Sequence, residues 1–201
     1  MGNSIVVTGT DTGIGKTVFS AGLVQALNAT YWKPVQAGLE DETDSETVAR
    51  LTGEPTLPET YRLKMPASPH LAAEAEDVLI SPDALNIPAC DGPLVVEGAG
   101  GVMVPLNRDT LYLDMFARWH APVILCARTQ LGTINHSLMS LMALRQVGCT
   151  IVGVAFIGDP EPEVEQTICD FGMTYNLGRL PIIDSLNAQT LASAFAQSIN
   201  L

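Results

Sequence analysis

Positive charge is scarce in this chain. Ten lysines and arginines stand against 22 aspartates and glutamates, a formal charge of -12 over 201 residues. A surface this acidic repels a nucleic-acid backbone and an anionic membrane face, so neither is expected as a partner. Long apolar runs are missing as well, and none approaches the length of a membrane span. Cysteines at metal-ligand spacing are also absent: Cys90, Cys126, Cys149 and Cys169 stand far apart with no Cys-x-x-Cys pair. Three of them fall in or beside apolar stretches, which predicts reduced thiols packed in the core. The opening "MGNSIVV" lacks the basic start and apolar stretch of a leader, and Val6 stands where a myristoylation motif needs Ser or Thr. The expected location is cytoplasmic. No repeat, linker or low-complexity tract breaks the chain.

What is present is an alternation. Apolar residues make up 47% of the chain and charged residues 16%, the composition of a globular protein with an ample core. Short apolar runs alternate with helical patterns: "SIVVTG" before Gly15 to Asn28, "YWKPVQ" before Asp44 to Leu51, and "PLVVEG" before Leu111 to Trp119. "PVILCAR" then precedes Thr133 to Val147, and "TIVGVAF" precedes Glu163 to Phe171. The pattern predicts a mostly parallel sheet with helices on both faces. In the helix from Thr133, Ile134, Leu138, Leu141 and Met142 recur at helical spacing, so that face, methionines included, is expected in the core, with Gly148 closing the helix. The proline-rich stretch 55–69 interrupts the alternation, and Ser68 is placed to cap a helix that starts at Pro69.

The segment "VVTGTDTGIGKTVFSAGL", residues 6–23, carries the strongest chemical signal. A strand feeds a loop in which Gly13 and Gly15 free the backbone to turn its N-H groups inward, and a helix follows at once. Lys16 is then placed to reach β and γ phosphates, and the Thr17 hydroxyl to ligate Mg²⁺. A strict Walker A loop puts glycine at position 10; here Thr10 is there and Gly9 comes one residue early. The expected architecture is an α/β, P-loop NTPase-like fold, with residues 1–201 forming a single domain.

Only three lysines occur: Lys16, Lys33 and Lys64. Lys33, in "YWKPVQAG", sits at a strand end beside the phosphate loop, where it can neutralise a second anion that meets the γ-phosphate, or simply stand exposed. Two carboxylates are candidates for the metal. Glu97 ends the buried run "PLVVEG" and so projects from the carboxyl edge of the sheet. Asp44, in "DETDSET", is either a ligand or a helix cap. "GAGG" after Glu97 is expected to add a flexible turn near the phosphates. His136, a lone histidine in "GTINHSL", is expected to pack or cap.

Taken together, "VTGTDTGIGKT", "KPVQAG", "TDSETVARLTG", "SPHLAA", "VVEGAGG", "PVILCARTQLGTINH" and "LGRLP", in this order along nearly the whole chain, resemble the dethiobiotin synthetase family. The early glycine is itself how that family writes its loop. The resemblance implies an ATP-dependent ligase that closes a ureido ring on 7,8-diaminopelargonate with CO₂, through a carbamate and a carbamic-phosphoric anhydride. By the same resemblance Lys33 and Lys16 are the catalytic groups, and Thr17, Asp44 and Glu97 hold Mg²⁺. The nucleotide is expected on Gly13, Ile14, Gly15, Lys16, Thr17, Val18, Asp44, Glu97, Gly98, Ala99, Gly100 and Pro181. The diamine is expected on Thr12, Lys33, Gly132 and Asn135, the last two from the neighbouring subunit of a homodimer. Many relatives carry an asparagine near Ile157 that reads adenine; "VAFIGDP" has none, which predicts weak discrimination among bases.

Other classes fit less well. A cobyrinate-type amide ligase normally carries a glutaminase domain, for which 201 residues leave no room. A partitioning-type nucleotide switch has a lysine five residues before the loop lysine, where this chain has Asp11. An Asn-Lys-x-Asp base-reading motif of GTPases is absent, and the seven arginines are too scattered for a small-molecule kinase lid.

Overall fold

The β-branched runs become strands of one parallel sheet. In the computed structural model, which describes residues 4–201, these strands are β1 (Ser4–Gly9), β2 (Thr30–Trp32), β4 (Thr56–Leu57), β6 (Leu94–Gly101), β7 (Val123–Arg128), β8 (Ile151–Ile157) and β9 (Asn176–Leu180). Met1, Gly2 and Asn3, part of the stretch read above for a leader, lie outside the described residues. The sheet order is β4-β2-β6-β1-β7-β8-β9, and every pairing is parallel. Successive side chains of a strand point to opposite faces. Val6 therefore enters one core and Val7 the other, and Leu125 and Cys126 divide in the same way. Burial on both faces is why these runs are apolar throughout rather than alternating.

Helices cover both faces. On one side α1 (Lys16–Leu27), α2 (Asp44–Thr52) and α7 (Ala188–Ser198) bring Phe19, Leu23, Leu51 and Phe195 against the sheet. On the other, α3 (Pro69–Glu74), α4 (Tyr112–Trp119), α5 (Thr133–Gln146) and α6 (Pro162–Gly172) bring Ala72, Phe116, Leu141 and Ile168. β1 lies between β6 and β7, so its carboxyl end opens at the centre of the sheet edge, where ligands bind in such folds.

Several expectations need correction. "YWKPVQ" is two strands: Pro34 has no N-H to give a ladder, and the chain leaves the main sheet there. The continuation, β3 (Val35–Ala37), pairs instead with β5 (Tyr61–Leu63) in a separate parallel ladder. "GAGG" is not a flexible turn, because β6 runs on through Gly101, which pairs with Gly9. The methionines of α5 are outside the core. Its buried face is Thr133, Ser137, Leu141 and Leu144, whereas Met139 and Met142 are 54% and 69% exposed. Gly148 follows the end of α5 in the left-handed region, φ 79°. Ser68 precedes α3 but its hydroxyl makes no cap bond, meeting His70 Nδ1 at 3.1 Å instead. All four thiols are free, and only Cys126 and Cys169 are buried.

Candidate active site

The phosphate loop is built by what surrounds it. Gly15, at φ 95°, turns the chain into α1, whose first turn has neither a side-chain cap nor an acidic residue. The N-H groups at this helix start are thus left for an anion. The early glycine has a steric reason: a Cβ on Gly9 would lie 2.7 Å from Ile14 Cδ1 and 2.9 Å from Lys16 Cδ. Any other residue there would crowd the lysine stem as it passes under the loop. Lys16 is 5% exposed, and its Nζ donates to the backbone carbonyl of Asp11 at 2.7 Å. Burial lowers the pKa of its ammonium, with Glu97 opposing and Lys33 adding to the effect.

Next to the loop four charged side chains gather. Lys33, at the end of β2, is 4% exposed, which overturns the reading of an exposed strand-end lysine. Its Nζ lies 3.0 Å from Glu97 Oε1, forms an ion pair with Asp44 Oδ2, and donates to the Gly98 carbonyl at 3.4 Å. Asp44 is not the helix cap. Thr43 is, through a capping box in which the Glu46 amide donates to Thr43 Oγ1 at 3.3 Å and the Thr43 amide to Glu46 Oε2 at 2.8 Å. The Asp44 carboxylate is thereby free to accept from Thr17 Oγ1 at 2.9 Å. Glu97, fully buried, accepts from Thr17 Oγ1 at 3.1 Å and from the Tyr31 hydroxyl at 2.9 Å.

Charge balance makes this burial tolerable. Lys16 and Lys33 oppose Asp44 and Glu97, and buried ions persist only when paired. Burial works against the Lys33 ammonium, but attraction to Glu97 and Asp44 outweighs it and holds the pKa above the ordinary lysine value. Burial likewise pushes Asp44 up, yet Lys33 and the Thr17 hydroxyl prevail and hold it below the ordinary carboxylate range. The hydroxyl of Thr17 and the two carboxylates are all hard oxygen donors at one point. That set suits Mg²⁺, which takes one or two carboxylates and fills its shell with water and substrate phosphate.

A cavity of about 570 Å³ opens over this cluster. Among the residues singled out in the sequence, Thr12, Gly13, Gly15, Lys16, Thr17, Val18, Lys33, Asp44, Glu97, Ala99 and Gly100 line it. The Ile14 side chain is buried beneath the loop and Gly98 offers its carbonyl to Lys33. A second cavity of about 250 Å³ lies across Gly13 to Gly15, lined by Thr129, Gln130, Ile157, Asp159 and Ile182; Pro181 is adjacent without lining it. Gly132 and Asn135, exposed at the start of α5, line neither. His136 neither packs nor caps: it is exposed and borders a third cavity of about 350 Å³ with Met103 and Met139. Sequence reading missed Tyr31, Gln36 and Arg128. The first was findable, since Tyr31 and Lys33 are two apart on a strand and therefore share a face. Gln36, whose Oε1 accepts the Asp44 amide at 3.3 Å, and Arg128 gave no signal.

A parallel sheet with a glycine loop, a Gly-Lys-Thr helix start and an acid on the neighbouring strand defines a P-loop ATPase-like protein. Solved structures agree on the fold. A ParA family ATPase from Chlorobium tepidum TLS superposes with TM-score 0.60 at 10% identity, covering 94% of this chain and 97% of that one. The cell division ATPase MinD of Pyrococcus furiosus gives TM-score 0.59 at 14% identity, covering 98% and 99%. The family model described as "AAA domain" matches residues 3–190. Sequence relatives are more specific. The ATP-dependent dethiobiotin synthetase BioD of Rhodopseudomonas palustris (strain HaA2) is 60% identical over 203 residues, covering 100% of this chain and 95% of that protein. Its namesake in Nitrobacter hamburgensis is 60% identical over 199 residues, covering 98% and 94%. The chain belongs to the ATP-dependent dethiobiotin synthetase family, and is an ATP-dependent ligase.

Proposed function

We propose that the Lys33–Asp44–Glu97–Thr17 cluster beside the phosphate loop carries the closure of the ureido ring of dethiobiotin. One amine of 7,8-diaminopelargonate adds to CO₂ and loses a proton, giving a carbamate. A carbamate oxygen attacks the γ-phosphorus of ATP as the bond to ADP breaks. The second amine then attacks the carbonyl carbon of the mixed anhydride, phosphate leaves, a proton is lost and the ring is closed. No covalent nucleophile from the protein is required; positioning and charge neutralisation are.

The residues take their roles from where they lie. Lys16 neutralises the β and γ oxygens, moving from the Asp11 carbonyl to the phosphates. Lys33, the only other buried lysine among the described residues, faces the same cavity and neutralises the carbamate and the transferring phosphoryl group. Thr17, Asp44 and Glu97 would hold Mg²⁺, which when bound would supply positive charge against the phosphates. Thr12 contacts the diamine, and the cavity across Gly13 to Gly15, with Pro181 at its rim, takes the nucleoside. Gly132 and Asn135 would reach substrate only across a subunit boundary. A homodimer is supported by Leu131, exposed just before α5, and by Met139 and Met142, exposed on it, with Met103 beside Met139. Among the described residues no helix is long and apolar enough to cross a membrane, in keeping with a cytoplasmic enzyme.

The observation that carries this reading is the second buried lysine. A partitioning-type switch carries its second lysine inside the loop, where this chain has Asp11; a second lysine that comes instead from the end of β2 and faces the phosphates across the same cavity suits a second anion. The test supplies purified protein with ATP, Mg²⁺, bicarbonate and 7,8-diaminopelargonate, following phosphate colorimetrically and dethiobiotin by mass spectrometry. Equal yields of both are expected. Phosphate released at the same rate without the diamine, and no dethiobiotin, would overturn the assignment in favour of a nucleotide switch.

A further inference from the structure

The phosphate loop contains one charged residue between Gly9 and Lys16, and it has the wrong sign for its task. Asp11 places a carboxylate in a loop that has to wrap a polyphosphate, in a protein already at -12. Its side chain has a local use: Oδ1 accepts the Thr12 amide at 2.7 Å, a bond that shapes the turn. The same residue's backbone carbonyl receives Lys16 Nζ at 2.7 Å. Its other carboxylate oxygen, Oδ2, pairs with Nη2 of Arg128, the last residue of β7. Arg128 also lines the cavity across Gly13 to Gly15, so its guanidinium lies beside the loop and is positioned by the sheet.

As a contributor to stability this pair is weak. The two side chains are 49% and 35% exposed, and a partly solvated ion pair is worth little. Its effect on a bound anion is larger, because an uncompensated carboxylate at the loop repels every phosphate that enters. We propose that Arg128 is a positioning residue for the nucleotide: by neutralising and anchoring Asp11 it lets the loop keep the bond that shapes it without repelling the polyphosphate. This rests on the reading of the loop as a polyphosphate site, and not on the ring-closing chemistry.

A double-mutant cycle tests it by ATP binding alone, without diamine or bicarbonate. Asp11→Asn keeps the oxygen that accepts the Thr12 amide and removes the charge. By calorimetry with Mg²⁺ at low salt, Arg128→Ala should weaken ATP binding roughly fivefold, with the deficit shrinking as salt rises. Adding Asp11→Asn to it should bring affinity back to within about twofold of wild type, and Arg128→Lys should bind nearly normally. Thermal melting of each variant separates a lost fold from lost binding. Arg128→Ala binding ATP as the wild type does would overturn the proposal. So would a double variant as weak as Arg128→Ala, which would show that the guanidinium touches the nucleotide itself. A wild-type chain that binds no ATP would overturn the loop reading and the proposal together, whereas normal binding with no ring closure would leave the proposal standing and remove only the ligase assignment.

Discussion

Lys33 joins stability to chemistry through one ammonium group. Replacing it with glutamine removes the cation between the buried Glu97 and the half-buried Asp44, which should cost about 3 kcal/mol of folding stability. The same change should lower diamine-dependent phosphate release by about a hundredfold or more while nucleotide affinity stays close to wild type, since the carbamate exists only after diamine and CO₂ have bound. A divalent cation can partly replace the missing ammonium, so Mg²⁺ should raise the Tm of Lys33→Gln more than that of the wild type. Differential scanning fluorimetry with and without Mg²⁺, the phosphate assay and calorimetry of nucleotide binding together read these effects. The pH response has a fixed sign. Asp44 has a depressed folded-state pKa, so its contribution is complete above the ordinary value of 3.8 and is lost as pH falls through its lower folded value. Lys33 has a raised one, so its contribution is complete below 10.5 and is lost as pH rises through its higher folded value. Between these limits the pair contributes no slope. In Lys33→Gln the burial that pushes Asp44 up loses its main opposition, so the wild-type advantage measured by chemical denaturation should hold or grow as pH rises from 5 to 9, and an advantage that shrinks across that window would contradict the charge pairing.

At the scale of the element, the start of α2 aims a ligand. Because Thr43 and Glu46 satisfy the helix end between them, Asp44 can turn its carboxylate to Thr17 and Lys33. Thr43→Ala should cost about 1 kcal/mol of stability. It should also raise the Mg²⁺ concentration needed for half-maximal activity, because an unsatisfied helix end draws Asp44 into capping. A magnesium titration identical to wild type would separate the cap from the ligand. The end of β8 raises a different question. Neither the sequence at "FIGDP" nor the adjoining cavity offers an asparagine to the base, and the apolar part of its wall, Ile157 and Ile182, separates bases poorly. Values of kcat/KM for ATP, GTP, CTP and UTP should fall within about a hundredfold of one another, equivalent to about 2.7 kcal/mol. A wider preference would assign the reading to Asp159, Gln130 or backbone groups.

For the whole molecule the open surface of α5 is the informative feature. Leu131 is fully exposed, and Met139 and Met142 project from the helix that sequence periodicity had turned inward. If this face joins two copies, Leu131→Glu should shift sedimentation from dimer to monomer. Diamine KM should rise with it, since Gly132 and Asn135 line none of the cavities described within one chain. ATP binding by the isolated chain should persist, because the phosphate loop and Arg128 are contained in one copy. A monomeric wild type would remove the subunit boundary from the mechanism.

The order of strands and helices around the phosphate loop was legible in the sequence because apolar runs, glycines and a Gly-Lys-Thr are local patterns, each dictated by the dihedral freedom or side-chain periodicity of a few neighbouring residues. β9 and α7 were not placed from sequence. Asn176–Leu180 is short and carries Gly178 and Arg179 within it, and the helix "AQTLASAFAQS" is built largely of small residues whose periodicity is faint. α5 shows the limit from the other side. Its pattern gave the helix, but which stripe turned inward depended on the packing of Leu141 and Leu144 against sheet and neighbours, a contest among surfaces far apart in the chain. The site follows the same division. Sequence singled out Lys16, Thr17, Lys33, Asp44 and Glu97 one at a time, Lys33 and Asp44 with a bland alternative beside them. Only folding brought Lys33 onto Asp44 and Glu97, 11 and 64 residues away, and closed Arg128 onto Asp11 across 117. Charge pairing across such separations has no local signature. It is fixed by the register of β2, β6, β1 and β7 in the sheet, and that register is set by the two cores on its faces.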